Sequence, residues 1–453
     1  MKRDECLEQG GEKMLKGMLK VSNWLSGVQW LFFIFTNIIV IPITVGAAFE
    51  LSQSKITGLL ELSFIFTGMA CVMQGLLGHR RPIMEGNSGL WWGVVLTLTS
   101  TAAAHGMPLS VLGGSLTVGI IISGLLTIII GLSGLGPFIA KLFNPGVMGV
   151  FMLLFGIKLI GIFMEGMFGI PFGNGNDSVS IDIPVSILSI LIVALVIFIS
   201  VKTPPAIRQY ALLIGIVVGW IVYDLVFGQK SGKGSSTELA IHFFPLGKPA
   251  FDIGVIITAI IAGFLNTANT FGALKGTDDM FESGTTPTEY RRSFTITGMF
   301  IGISGFFGLV PFSPYVSTIG FLKQTGFRER VPFIFGGFLF CLMGLIPPVG
   351  YFFSMLPLSI GSAVLFVAYL QLLSSSWSFF RNVKFNSLNI YRSAIPLFGG
   401  IIIMTMPPAY FASLPDFIRP VLSSGLLVGI ILALLLENVV DWDKYTEQSN
   451  RPS

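Results

Sequence analysis

Charge is what this sequence has least of. Of 453 residues only 11 % are Asp, Glu, Lys or Arg, against roughly a quarter in an ordinary soluble domain. A soluble chain of this length needs a charged surface, and 27 basic plus 23 acidic residues do not cover one. A soluble enzyme is therefore excluded. Cysteine is nearly absent. Cys6, Cys71 and Cys341 lie far apart, with neither metal-ligand spacing nor a disulfide framework. Histidine is as rare, and His79, His105 and His242 all fall in predicted loops, which argues against a buried histidine relay. The net charge of +4 is small and the basic residues are dispersed, so nucleic acid is not a partner. The first 20 residues are polar, and no apolar stretch with a small-residue cleavage site follows them. They read as a tail and not as a signal peptide.

What is abundant is apolar. Hydrophobic residues make up 53 %, mean hydropathy is +0.81, and 54 glycines and 24 prolines are scattered among them. Gly and Pro are commoner in membrane helices than in soluble ones. About 20 apolar residues span a bilayer. Fourteen segments qualify as candidates, at 27–49, 56–77, 83–104, 108–134, 144–164, 183–201, 206–227, 250–275, 293–310, 311–325, 331–347, 351–373, 394–412 and 418–437. Two of them, 83–104 and 311–325, open with a Pro/Gly/Ser stretch that leaves room only for a half-helix. With both termini in the cytoplasm and sides alternating, 21 of the 27 basic residues fall on the cytoplasmic side and Lys158 lies within a span. That asymmetry is the positive-inside rule. The expected location is the cell membrane, multi-pass, embedded in the lipid bilayer.

The halves echo each other. Pro145, Gly149 and Leu153 repeat as Pro357, Gly361 and Leu365, 212 residues on, and the interrupted segments begin at Pro82 and Pro311, 229 residues apart. Copies seven spans apart run in opposite directions, so this is an inverted repeat of the kind found in secondary transporters. Non-helical backbone at membrane depth is tolerated only inside protein or lining a cavity. Pro82-Ile-Met-Glu-Gly-Asn-Ser-Gly89 and Pro311-Phe-Ser-Pro-Tyr-Val-Ser-Thr-Ile-Gly320 are such stretches. The half-helix after each presents free N–H groups and a partial positive charge. The eighth span adds Asn266, Asn269 and Thr270, which are neighbours at helical spacing, and the first span adds Gln29, Thr36 and Asn37. Singly, such groups serve as interhelical glue. Clustered beside two broken helices, they read as a binding site. The intramembrane charges singled out are Glu85, Lys158 and Asp224, with Glu85 the candidate proton carrier.

Gln29-Trp-Leu-Phe-Phe-Ile-Phe35 with Pro42, Gly86-Asn-Ser88, and Gly305-Phe-Phe-Gly-Leu-Val-Pro311 with Tyr315 and Ile319-Gly320 carry a resemblance. They resemble the motifs of the nucleobase–ascorbate transporters, the uracil and xanthine permeases, in order along nearly the whole chain. The resemblance implies an all-α polytopic fold of 14 segments in two inverted sevens, with short strands in segments 3 and 10. It implies a core domain (23–135 and 250–350) and a gate domain (136–249 and 351–437) between cytoplasmic tails 1–22 and 438–453. It places substrate between the strands and segment 8, with proton or sodium symport, no other cofactor, and dimers common. Carried onto this chain, Phe312, Tyr315, the Val316 backbone, Ser317 and Thr318 contact substrate from one side and Asn266 and Thr270 from the other. Asn87, Ser88 and Asn37 complete the pocket, and Asn269 joins Glu85 as a coupling candidate.

The chain departs from the pattern where it matters. The family's acidic residue in segment 8 matches Asn266, its Glu-Asn pair in segment 10 matches Ser317-Thr318, and its Gln-His matches Gln29-Trp30. A carboxylate accepts two N–H groups at once, whereas an asparagine offers one acceptor and two donors. A neutral site favours a different donor/acceptor pattern, or an anion. The leading expectation is a secondary transporter of nucleobases. The alternative keeps the fold and carries an anion, as in the sulfate-permease group. A membrane-embedded enzyme is the remote reading, because no nucleophile–base pair or metal-ligand set lies at membrane depth.

Overall fold

The structure is a computed structural model and describes residues 21–170, 180–228, 238–442 and 444. Cys6, all the basic residues assigned to the N-terminal tail (Lys2, Arg3, Lys13, Lys16 and Lys20), and 445–453 lie outside the described residues. The fold is mostly helical. Its first half runs α1 (Val21–Ile38), α2 (Val40–Ala48), α3 (Gln53–Leu76), β1 (Glu85–Asn87), α4 (Gly89–Ala104), α5 (Leu109–Ser133), α6 (Pro145–Met167), α7 (Ile183–Lys202) and α8 (Ala211–Phe227). Its second half runs α9 (Ile253–Lys275), α10 (Pro287–Phe307), β2 (Phe312–Pro314), α11 (Thr318–Thr325), α12 (Arg330–Gly344), α13 (Pro347–Ser354), α14 (Leu358–Phe380), α15 (Tyr391–Thr405) and α16 (Gly425–Val439). Short helical turns at 136–142, 205–208, 278–281 and 419–422 lie between them.

Among the described residues seven helices, with α1 and α2 taken as one, are long and apolar enough to cross a membrane, and eight if the bent pair α12–α13 counts as one span. Four further apolar helices, α4, α8, α15 and α16, are shorter. Proline explains most of the differences from the expected boundaries. The segment expected at 351–373 is α13, an 86° bend away from α12, followed by α14 from Leu358. Pro347 opens α13 and Pro357 caps α14. Proline is at home in a first turn and drives the residue before it out of the helical region. The segment expected at 394–412 stops at Thr405, ahead of Pro407 and Pro408. The segment expected at 293–310 starts earlier, at Pro287, because Thr286 and Glu289 form a capping box.

The helices pack in two sets. In the first, α10 lies on α5, α12 on α3 and α1, and α9 on α5. In the second, α14 lies on α6 and α7, α15 on α16, and α16 on α6. Glycine lets the backbones of the first set touch. A Cβ on Gly124 of α5 would sit 2.6 Å from the Gly302 nitrogen of α10, and one on Gly68 of α3 would run into the Gly337 carbonyl of α12. Such small-residue contacts replace the hydrophobic driving force that helices in lipid lack.

Candidate functional site

The two proline-led stretches meet in the middle of the first helix set. Glu85–Asn87 and Phe312–Pro314 pair as antiparallel strands, with Gly86 opposite Ser313 and Asn87 opposite Phe312. Tyr315 N–H donates to the Met84 carbonyl and Ser88 N–H to the Pro311 carbonyl, at 2.8 and 2.7 Å, which extends the ladder at both ends. The pairing satisfies backbone groups that could not stay bare at membrane depth. Helix α4 starts at Gly89 beside one strand and α11 at Thr318 beside the other. Neither N-cap side chain, Ser88 or Ser317, accepts a hydrogen bond from its own helix. At α11 the first-turn N–H groups of Thr318, Ile319 and Gly320 are taken by the Tyr315, Val316 and Ser317 carbonyls, so it is the N-terminus of α4 that keeps first-turn N–H groups for another partner.

Helix α9 passes across this crossing. The Asn266 Oδ1 accepts from the Ser88 hydroxyl at 2.6 Å and from the Asn269 amide at 3.1 Å, while its Nδ2 donates to the Phe312 carbonyl at 2.9 Å. One buried side chain thus ties α9 to the N-cap of α4 and to β2. The Tyr315 hydroxyl donates to the Asn87 carbonyl, and the Asn87 amide donates to the Val310 carbonyl at 2.6 Å. Asn87 Oδ1 is buried with no hydrogen-bond partner. The Thr318 hydroxyl accepts from Met84 N–H at 3.3 Å.

The candidate residues thus separate. Asn87, Ser88, Asn266, Asn269, Phe312, Tyr315 and Thr318 come together around the crossing. Thr270 is buried one turn along α9, and Val316 lies near Gly272 of the same helix. Ser317 is exposed. The Asn37 amide is spent on its own helix, donating to the Phe33 carbonyl at 2.8 Å. Glu85 is buried but turns from α9 towards α3 and α10. Its Oε1 accepts from the Thr297 hydroxyl at 2.7 Å and its Oε2 from the Gln74 amide at 3.1 Å. No ion pair among the described residues includes it.

Reading the sequence missed two acidic residues inside apolar segments, although the criterion that found Glu85 applies to both. Glu61 is buried in α3, and its Oε2 accepts from Ala240 N–H at 3.1 Å. Glu437 is buried in α16, takes a bidentate pair of hydrogen bonds from Arg392 and accepts the Asn144 amide at 3.0 Å. Lys158 packs its chain beside Gly93 of α4. No His, Cys, Asp and Glu cluster able to hold a metal occurs among the described residues.

Crossed half-helices held by a two-strand ladder in a helical bundle define a membrane transporter. Solved structures agree on the fold. The transmembrane domain of a cyanobacterial bicarbonate transporter, BicA, superposes with a TM-score of 0.59 at 16 % identity, covering 91 % of this chain and 97 % of that one. The murine anion transporter Slc26a9 in its inward-facing state gives 0.58 at 12 % identity, covering 92 % and 68 %. The chain belongs to the Permease family, whose sequence profile matches residues 22–409. It is 29 % identical over 429 residues to YwdJ of Bacillus subtilis, whose name assigns it to the purine permeases, covering 92 % of this chain and 96 % of that one. It is 24 % identical to the xanthine permease of the same organism, covering 93 % and 95 %, and 23 % to its uric acid permease PucJ, covering 90 % of each. The protein is a multi-pass membrane permease and not an enzyme.

Proposed function

We propose that this permease carries nucleobases of the purine class across the cell membrane, with a cation as co-substrate. The carrying observation is the Asn266 bridge, which sets a neutral donor–acceptor group between the uncapped N-terminus of the α4 half-helix and the strand β2. The names of the relatives supply the substrate class. An asparagine beside the backbone N–H groups that open α4 can match the alternating N–H and C=O edge of a base, and the Phe312 and Tyr315 rings supply stacking faces.

The bundle reads as 14 segments when α1 with α2, β1 with α4, and β2 with α11 each count once and α13 is a connection. The packing supports an inverted repeat. Under that count α3 on α12 is segment 2 on segment 11, and α5 on α10 is segment 4 on segment 9. The repeat exchanges these two pairs. The first helix set is then the core and the second the gate, and the core moves against the gate to expose the site to each side in turn. The ends carrying Arg81, Lys141, Lys202 and Arg392 face the cytoplasm, with both termini. Glu85, between Gln74 and Thr297, is the site that takes up a proton. The chain assembles as a homodimer, which light scattering of the purified protein tests.

The central test is uptake into proteoliposomes of radiolabelled xanthine, urate, adenine and uracil, with bicarbonate and sulfate alongside, by wild type and Asn266→Ala. Saturable uptake of at least one base, lost in the variant, is the expected result. Uptake of an anion without any base would overturn the reading.

A further inference from the structure

A cavity of about 250 Å³ lies where α4 ends and α9 begins. Leu98 and His105 from α4, Asp252 and Val255 from α9, and Asp416 and Arg419 from the connection between α15 and α16 line it. Leu98 is ten residues along α4 from Ser88, and Val255 eleven residues along α9 from Asn266. At 1.5 Å per residue the cavity stands about 15 Å from the strand crossing, between the same two helices.

Its volume and chemistry suit a small planar heterocycle. An apolar cavity of about 150 Å³ already takes up benzene. Leu98 and Val255 give apolar walls, and polar groups converge on one rim. Arg419 is aimed by the Ala412 and Leu414 carbonyls, at 3.0 and 2.7 Å, and by the Asp416 carboxylate at 2.8 Å. Asp252 spends one oxygen on the N-terminus of α9, accepting from Val255 N–H at 2.9 Å. His105 Nε2 is buried and has no hydrogen-bond partner. Partial burial and the nearby Arg419 guanidinium lower the His105 imidazole below its ordinary value, against a smaller opposing effect of Asp416. The ring is therefore neutral at physiological pH, and its unpaired nitrogen suits an uncharged ligand edge. Apolar walls with a few convergent polar groups are the usual make-up of a small-molecule site.

The cavity also joins the two helix sets. Gly254, in the first turn of α9, lies so close to the 416–420 connection that a Cβ there would run into the Asp416 carbonyl. An occupant therefore touches both parts that must move apart in transport.

We propose that this cavity is a second, peripheral binding site for the transported heterocycle, used on the way to or from the strand crossing. The proposal rests on the nucleobase reading above. It is tested by equilibrium binding of radiolabelled xanthine, urate, adenine and uracil to the purified full chain in nanodiscs. Wild type is expected to show two classes of site for at least one base. Leu98→Trp, which fills the cavity, removes one class and leaves the other. His105→Ala, at a partly exposed position that tolerates truncation, weakens the same class at least fivefold. Asn266→Ala removes the complementary class. A single class, lost in Asn266→Ala and unchanged in both Leu98→Trp and His105→Ala, would overturn the second site and leave the nucleobase reading intact. No binding of any of the four bases overturns both.

Discussion

Asn266 and Ser88 share a 2.6 Å hydrogen bond across 178 residues of sequence. The bond fastens α9 to the start of α4, and the same amide holds the Phe312 carbonyl of β2. One neutral side chain thus joins both halves of the chain at the crossing.

Removing that amide strands several buried groups. Asn266→Ala leaves the Ser88 hydroxyl, the Asn269 amide and the Phe312 carbonyl without this partner. An unsatisfied buried group costs about 1–3 kcal/mol, and the expected loss of stability is about 2 kcal/mol or more. Asn266→Asp keeps the acceptor for Ser88 and Asn269, and in its protonated form its O–H donates to the Phe312 carbonyl, so its melting temperature falls less than that of Asn266→Ala at acid pH and drops further as the carboxyl ionises. Thermal shift of both variants in detergent checks the order. In uptake the two part differently, because Asn266→Asp alone restores a carboxylate and so changes which bases compete.

Much of this centre was legible in the sequence and part was not. Pro82 and Pro311 marked where the helices break, since proline forbids the interior of a helix, and the Gly305–Gly320 motif placed the second break within a known pattern. The Asn266–Asn269–Thr270 spacing put those groups on one side of α9. The destination of Asn37 was not legible, because a bond to its own Phe33 carbonyl is as available to an asparagine as any tertiary partner. Nor was the direction of Glu85. Its partners Gln74 and Thr297 come from α3 and α10, and only the packing of those helices brings them to the strand. Glu61 and Glu437 carried the same signal as Glu85, an acid inside an apolar run.

Among the described residues Glu85 has two neutral donors and no ion-pair partner. A buried carboxylate of this kind is costly to keep charged. The Gln74 amide turns its NH2 to Glu85 and its oxygen, buried without a partner, away from it; a turn of the amide by half a rotation would let that oxygen accept from a protonated Glu85. Glu85→Gln is neutral at every pH and keeps a similar shape. It is expected to abolish acceleration of uptake by an inward proton gradient and to spare counterflow between equal concentrations of substrate. Gradient-driven uptake at the wild-type level in this variant would remove Glu85 from the coupling.

Arg81 is the hub of the end that carries the α3–β1 connection. It pairs with Asp278 at 2.8 Å and Glu289 at 3.5 Å, and donates to the Leu274 carbonyl at the end of α9 at 3.0 Å. A cation suits a helix C-terminus. Arg81→Met leaves these acceptors unpaired, and with the acids about a quarter exposed the expected cost is about 2–3 kcal/mol. Arg81→Lys recovers part of it, because one ammonium cannot reach all the acceptors that Nε, Nη1 and Nη2 of the guanidinium meet separately. Thermal shift of both variants reads the difference.

His79 sets an acid limit on the same end. It is fully buried, its Nδ1 accepts from Arg81 N–H at 3.1 Å, and burial together with the Arg81 charge lowers its pKa from 6.5 to about 3. Between these values the unfolded chain binds a proton that the folded chain does not, so this site makes stability fall as the pH drops below 6.5. Above 6.5 both states are neutral and the effect is gone. His79→Gln is therefore expected to melt with a shallower pH dependence between about pH 6.5 and 4 than wild type. An unchanged slope would remove His79 as its source.

Glu61 stands where two connections between the helix sets converge. The segment leading from α8 to α9 binds it through Ala240 N–H, and α13, between α12 and α14, packs Gly350 so tightly that a Cβ there would strike its side chain. Gln53 and Thr57 of α3 hold Ser354 of the same α13 at 3.0 Å, while Phe352 stacks on Trp220 of α8. In the proposed movement of core against gate both connections bend, and Glu61 fixes where. Glu61→Ala is expected to lower the uptake rate several-fold with little change in the concentration for half-maximal uptake, because no candidate substrate contact is altered. Glu61→Gln keeps an acceptor for Ala240 N–H and is expected to recover most of the rate. If Glu61→Gln is as slow as Glu61→Ala, the carboxyl acts through its charge, and the anchoring account fails.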